Sequence, residues 1–180
     1  FTIARDHLIF GLGAIKNVGS SAIDSIIEAR KEKGHFSSLR ELCENVDLRL
    51  VNKRVVESLV KSGACDSLNQ SRAAMIDDLP SAIEMGQAKQ RDYQLGQSSM
   101  FEVFEGAKEE IGNASRIEDW GDRERLKYEK ETIGFYISGH PLEQFSNELA
   151  WFVDASSASI LEDNTGNEVS IAGIPSKILL

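Results

Sequence analysis

The residues whose types and spacing could do chemistry lie near the start of the chain. They are Gly13-Ala14-Ile15-Lys16-Asn17-Val18-Gly19, followed at once by an apolar-periodic stretch beginning at Ser20 or Ser21. This pattern predicts a short helix that ends, a tight Asn-Val-Gly turn, and a new helix. Such a turn leaves backbone N–H groups without intrahelical partners. With the positive end of the helix dipole, those donors suit a phosphate oxygen. Gly19 removes the Cβ that would block a close approach. Val18 can plug the gap between the two helices, and Lys16 can add a charge contact. Binding of this kind carries no base specificity. The alternative is an ordinary helix–helix corner that uses glycine for tightness.

Other candidate groups are few. Cys43 and Cys65 lie far apart, form no CxxC pair and have no Cys/His set at metal spacing, so they read as two reduced thiols. The acidic residues show no clustered pattern that would hold two Mg²⁺ ions. Gly139-His140-Pro141 reads as a tight turn between helices rather than a catalytic histidine, and His7 and His35 support no functional role. Trp120 and Trp151 are expected to cover seams of the core. No segment approaches the roughly 20 apolar residues of a membrane span, and no signal-peptide pattern is present. The chain opens on Phe1 rather than methionine, which suggests a piece of a longer protein.

The formal net charge of −9 argues against a nucleic-acid partner until its distribution is considered. Residues 1–66 hold 10 Lys+Arg against 9 Asp+Glu, whereas residues 67–180 hold 10 against 20. The acidity therefore lies outside the first third. A near-neutral module can approach a phosphate backbone if its own backbone donors do the positioning.

These residues need elements to hold them, and the helix signals are clear over the first ninety positions. Ser21-x-x-Asp24 reads as a capping-box-like start, with Ile23, Ile26 and Ile27 at helical spacing and Gly34 as the stop. Ser38-Leu39-Arg40-Glu41 is a full capping box ahead of a stripe of Leu39, Leu42, Cys43 and Val46. Asn52 caps a further helix that turns Val55, Val56, Leu59 and Val60 inward and ends at Gly63. A helix is expected from Ser71 to about Lys89, broken or kinked at Leu79–Pro80. From Arg91 to Asp119 periodicity fades into a linker or a long loop. Helical periodicity returns from Asp122 to about Ser138, and a short helix follows from Leu142 to Ala150. Glu168–Ile174 alternates like a strand, one that cannot make a sheet alone.

The small and left-handed-tolerant residues of the first turn fit a helix-hairpin-helix pattern. Asn17 stands where glycine is usual and Ile23 where a small alanine is usual. A second, degraded copy joins Ser38–Val46 to Asn52–Ser62 through Asp47-Leu48-Arg49-Leu50-Val51, which has no glycine. Arg49, Lys53 and Arg54 could supply side-chain contacts there, or form a solvated basic helix start. The fold class expected is mainly α, a tandem helix-hairpin-helix core of pseudo-twofold form followed by a linker, further helices and a short terminal β segment.

Three blocks then carry a specific resemblance. Phe10–Gly19, Val51–Leu68 and Tyr128–Leu142 resemble, in order and spacing, the alpha subunit family of bacterial replicative DNA polymerase III. The resemblance covers nearly the whole chain. It implies a position behind a catalytic palm, which would lie before Phe1, and ahead of an oligonucleotide-binding barrel whose first strand would be Val169–Ile174. No catalytic residue and no cofactor is then expected in this chain, and Mg²⁺ belongs to the parent polymerase. The first turn, with Lys16, Asn17, Val18, Gly19, Ser20 and Ser21, and the second, with Arg49, Lys53 and Arg54, would grip duplex primer–template DNA. In that family context Gln97-Ser98-Ser99-Met100-Phe101 resembles the pentapeptide that binds the bacterial sliding clamp. Met100 and Phe101 would enter an apolar pocket, Gln97 would bond at its rim, and Phe104 could extend the contact. The organisation expected is a tandem DNA-binding domain over 1–90, a flexible linker carrying the clamp peptide over 91–120, a helical connector over 121–167, and a truncated barrel start over 168–180. Other replicase subunits would be met through the parent protein, in the bacterial cytoplasm at the replication fork. The alternatives are a helix-hairpin-helix module of a repair nuclease or ligase, and a helical protein-interaction adaptor.

Overall fold

Local capping sets the helical frame. The computed structural model describes residues 2–4, 7–94, 117–156, 159–161, 166 and 168–175. Helix α1 (Ser20–Lys33) starts behind Gly19, which has extended backbone and no side-chain cap. The capping box expected from Ser21 does not form, because Ser21 already lies inside the helix. The helix stops at Gly34, whose φ of +88° suits glycine. Helix α2 (Leu39–Asn45) is capped by Ser38, whose hydroxyl accepts the Glu41 N–H at 3.2 Å. The returning arm of the box lands one residue early, with Ser37 donating its N–H and hydroxyl to Glu41, each at 2.7 Å. Those bonds, the backbone one first, hold the Glu41 carboxyl below its ordinary value. Helix α3 (Lys53–Lys61) starts at Asn52, which accepts the N–H groups of Arg54 and Val55 at 3.1 and 3.2 Å.

Helix α4 (Arg72–Gln94) is continuous through Pro80, so the break expected there does not occur. Proline removes one helix hydrogen bond, at a cost of about 3 kcal/mol in a helix interior. Its ring is on the exposed side, while Met75, Leu79, Ala82 and Gly86 are buried on the other. Core packing on that side outweighs the loss. The helix also runs five residues past Lys89, into the stretch expected to be linker. α4 packs on α2 and α3, and all three share a core with α1 that includes Ala22, Ile26, Leu39, Leu42, Val56 and Val60.

Helix α5 (Asp122–Thr132) ends six residues before the expected Ser138, and Gly134 at φ +88° follows. Its buried residues are Leu126, Glu129 and Thr132. Phe135 lies beyond the helix and is exposed. Trp120 packs on Tyr128 with ring centroids 4.4 Å apart, in keeping with a cover over a seam. The hairpin of β1 (Thr2–Ala4) and β2 (His7–Ile9) is not anticipated by any sequence signal. It is antiparallel, pairing Thr2 with Ile9, Ile3 with Leu8 and Ala4 with His7. Strands of three residues are too short to show alternation.

Residues 137–180 form a second unit, distinct from residues 1–136. His140 turns the chain as expected: its carbonyl accepts the Glu143 N–H at 2.9 Å and its Nδ1 accepts the Leu142 N–H at 3.2 Å. A 3₁₀ turn at Glu143–Phe145 and helix α6 (Ser146–Leu149) take the place of the single helix expected there. Trp151 is 86% exposed and covers no seam. The segment 168–175 is not a strand; the Ser170 carbonyl accepts the Asp154 N–H at 3.1 Å, but no ladder forms. The terminal β segment of the expected fold class is therefore corrected, and the strand content described lies at the other end of the chain.

Helices α2 and α4 approach closely at Gly86. A Cβ built there would stand 2.5 Å from the Cys43 carbonyl oxygen and 2.8 Å from its carbon. Backbone cannot step aside as a side-chain end can. Gly86→Ala is expected to destabilise the chain by about 1–3 kcal/mol in urea unfolding, although alanine is the better helix former.

Candidate nucleic-acid interface

The chemistry of the first turn follows from where its donors go. A 3₁₀ turn at Leu12–Ala14 leads into Ile15, which is buried, and Lys16, which is exposed. Asn17 takes φ +70°, the left-handed conformation its residue type tolerates. Val18 is buried and plugs the space between the flanking elements. The Lys16 N–H donates to the Thr132 carbonyl at 2.8 Å, and the Val18 N–H to Ile15 at 3.2 Å. Those two donors are used inside the protein. The N–H groups of Ser20, Ser21 and Ala22 open α1, where no intrahelical acceptor exists and Gly19 offers no side-chain cap. Ser20 and Ser21 are exposed there.

Asn17 of the turn and Ile23 of α1 are the two positions where the residue departs from the usual pattern. The Asn17 side chain donates from Nδ2 to Ser58 Oγ at 3.0 Å, tying the turn to α3 rather than facing a ligand. Ile23 lies near Gly13, where an added Cβ would sit 3.6 Å from Ile23 Cδ1, an ordinary contact distance. Gly19 is unlike both. Its φ of −83° and ψ of 164° are open to any residue, and a Cβ there meets nothing within 4 Å. The fold does not ask for glycine at this position.

The second turn has different chemistry. The Asp47 carbonyl accepts the N–H groups of Leu50 and Val51, and the Asp47 N–H donates to Ser25 Oγ of α1 at 2.9 Å. Arg49 forms a fork on Asp47 at 3.0 and 2.8 Å. The pair holds the Asp47 carboxyl below, and the Arg49 guanidinium above, their ordinary values. Lys53 and Arg54 are exposed at the start of α3 and take part in no ion pair among the described residues. Beside the turn is an open hollow of about 310 Å³ lined by Leu48, Arg49, Gln87, Gln90 and Arg91. Gln90 donates to the Val46 carbonyl at 2.7 Å, fixing one wall. Sequence reasoning does not single out Arg91. Its one signal is its place a helical repeat beyond Gln87, in a tail where periodicity fades.

The sequence-predicted residues thus fall into two groups on one helical core: Lys16–Ser21 at the start of α1, and Arg49, Lys53 and Arg54 at the start of α3. The segment Gln97–Phe101 and Phe104 lie outside the described residues. Among the described residues no cluster of three His, Cys, Asp or Glu side chains could hold a metal ion. Both cysteines are free and buried, and burial pushes each thiol up to about 12. No described helix is long and apolar enough to cross a membrane.

Residues 1–75 match the helix-hairpin-helix motif family, the span that contains both turns. Similarity continues well past that span. DNA polymerase III subunit alpha of Vibrio cholerae is 34% identical over 168 residues, 93% of this chain. That of Escherichia coli is 37% identical over 148 residues, 82% of the chain, and that of Mycobacterium leprae 32% over 163 residues, 90% of it. The chain is homologous to a segment of the DNA polymerase III alpha subunit. It spans only 14%, 13% and 14% of the length of those three relatives. The alpha-subunit resemblance and the mainly helical, helix-hairpin-helix fold class are thereby established.

The two demands on Asn17 can be separated by mutation. Asn17→Ala loses the Ser58 bond and forces a residue with a Cβ and no polar side chain into the left-handed region, a combined cost of roughly 1–2 kcal/mol. Asn17→Gly loses the bond but relieves the backbone. In urea unfolding the glycine variant is expected to be the more stable of the two.

Proposed function

We propose that this chain is the non-catalytic region of a DNA polymerase III alpha subunit that grips duplex primer–template DNA and binds the sliding clamp. The observation that carries the DNA reading is the start of α1. Uncapped first-turn donors stand behind a glycine that the fold does not require, within a span that matches the helix-hairpin-helix motif. Phosphate oxygens would accept from the N–H groups at Ser20–Ala22, with Lys16 adding charge and Asn17 and Val18 holding the turn rigid from inside. Lys53 and Arg54, with the outer edge of the Arg49 guanidinium, would add cationic contacts beside the second turn. Such contacts position the protein on the duplex without reading bases.

The clamp reading rests on Gln97-Ser98-Ser99-Met100-Phe101 and the homology around it. An extended peptide that orders on binding gives modest affinity alone. Its value lies in linkage: an enzyme released from the duplex stays clamp-held and rebinds at high effective concentration. Polymerisation and its Mg²⁺ are assigned to the parent subunit outside this segment, as are contacts with other replicase subunits and a bacterial cytoplasmic setting at the replication fork. A repair nuclease or ligase module, or a helical adaptor, would not account for homology that extends beyond residue 75.

Duplex binding measured across a salt series is expected to weaken as salt rises. Lys53→Ala with Arg54→Ala should flatten the slope of log affinity against log salt by about 0.9 for each phosphate that is no longer neutralised. Gly19→Val should weaken binding with little change in unfolding free energy; unchanged duplex affinity would sink the role given to the first turn. The clamp peptide is tested separately. Met100→Ala with Phe101→Ala should abolish capture by immobilised clamp while duplex binding persists, and retained capture would overturn the assignment.

A further inference from the structure

The first turn is held from outside its own motif by α5, and α5 is itself held by a buried charge. Arg72, at the start of α4, is 7% exposed and lies between two carboxylates. Its Nε and Nη2 fork onto Asp66 at 2.8 and 2.7 Å. Its Nη1 donates to Glu129 Oε1 at 3.0 Å, and Glu129 is fully buried. Glu129 stands one helical turn before Thr132, the residue whose carbonyl accepts the Lys16 N–H at 2.8 Å. The Thr132 hydroxyl donates back to the Tyr128 carbonyl at 2.7 Å, stiffening that last turn. Lys61 lies over the Tyr128 ring at 4.7 Å, a weaker contact on the same helix. A continuous chain of bonds therefore runs from Asp66 through Arg72, Glu129 and the last turn of α5 to the backbone of the phosphate-receiving turn.

We propose that the buried Arg72–Glu129 pair is a clasp through which α5 holds the first turn in its DNA-binding geometry, making Arg72 and Glu129 positioning residues for duplex DNA. The proposal rests on the DNA reading above. Neither residue needs to touch DNA. Desolvated ions are tied to their partners by the cost of being left alone, so weakening one side is felt by the helix that carries it. α5 then loses its fixed depth, and the Thr132–Lys16 bond is the first contact with the turn to loosen.

The sign of the electrostatic effect makes the test sharp. Glu129→Gln is isosteric and removes a negative charge, so a field effect alone would strengthen DNA binding. The clasp predicts the opposite: duplex affinity of the full chain should fall about tenfold, within the range of ordinary site coupling. The salt slope should be unchanged, because no cation is removed. Hydrogen exchange supplies a readout that needs no DNA. The Lys16 amide should exchange about tenfold faster, while the Met75 and Leu79 amides keep their protection. Arg72→Lys keeps the charge but loses the fork, and it should shift both readouts in the same direction; it stands in if Glu129→Gln fails to fold by circular dichroism. Unchanged Lys16 exchange, or loss of protection at Lys16, Met75 and Leu79 together, would overturn the clasp. If the wild-type chain binds no duplex, the DNA reading fails and with it the positioning role.

Discussion

A single guanidinium organises much of the first unit. Arg72 opens α4, closes the turn after α3 through Asp66, and reaches α5 through Glu129. An isolated buried ion would cost several kcal/mol. Here all three guanidinium nitrogens are paired, and the group is held above its ordinary value, chiefly by the Asp66 fork. The chain makes space for it at Gly63, where φ is +82° and an added Cβ would stand 2.3 Å from Arg72 Nη2. Two separate constraints, backbone conformation and side-chain volume, thus meet at one glycine.

Other bonds likewise tie elements distant in sequence to one another. Arg72 and Glu129 are 57 residues apart, and Asn17 and Ser58 are 41 apart. The first turn is fixed by α3 through the Asn17 side chain and by α5 through the Lys16 N–H. The second turn is fixed to α1 through Ser25. Each turn is therefore locked by an element belonging to another part of the core. A backbone-donor site benefits from such locking, because donors held in place lose little entropy when a phosphate arrives. On the proposed reading an acidic chain would then bind a polyanion locally, its negative residues being concentrated beyond residue 66.

Local signals in the sequence are legible because their physics is local. Ser38 and Asn52 cap where their side chains can reach the next turn, and Gly34 and Gly63 stop helices where φ turns positive. Pro80 misleads for the complementary reason: its penalty is local, but the packing of Met75, Leu79 and Ala82 that overrides it is tertiary. The end of α5 is hard to read because Ile133, Phe135 and Tyr136 continue an apolar rhythm after the helix has stopped. The terminal alternation at 168–174 has the period of a strand but pairs with no neighbour among the described residues. The Arg72–Glu129 pair is invisible at that level, since nothing in one sequence links two charges so far apart.

Packing demands neither of the two glycines that frame the first turn. An added Cβ at Gly13 would stand 3.6 Å from Ile23 Cδ1, an ordinary contact. Gly19 has ordinary backbone angles and empty space where a side chain would be. A serine or aspartate there would cap α1 and satisfy a first-turn donor, which is what Ser38 and Asn52 do for α2 and α3. The chain uses strong side-chain caps at those two helices and leaves α1 bare. A cap at position 19 would occupy the donors and crowd the approach that a phosphate needs. Helix α5 starts in the same way behind Gly121, so an absent cap does not by itself mark a site; at α1 it leaves open the donors that the proposed phosphate contact would use.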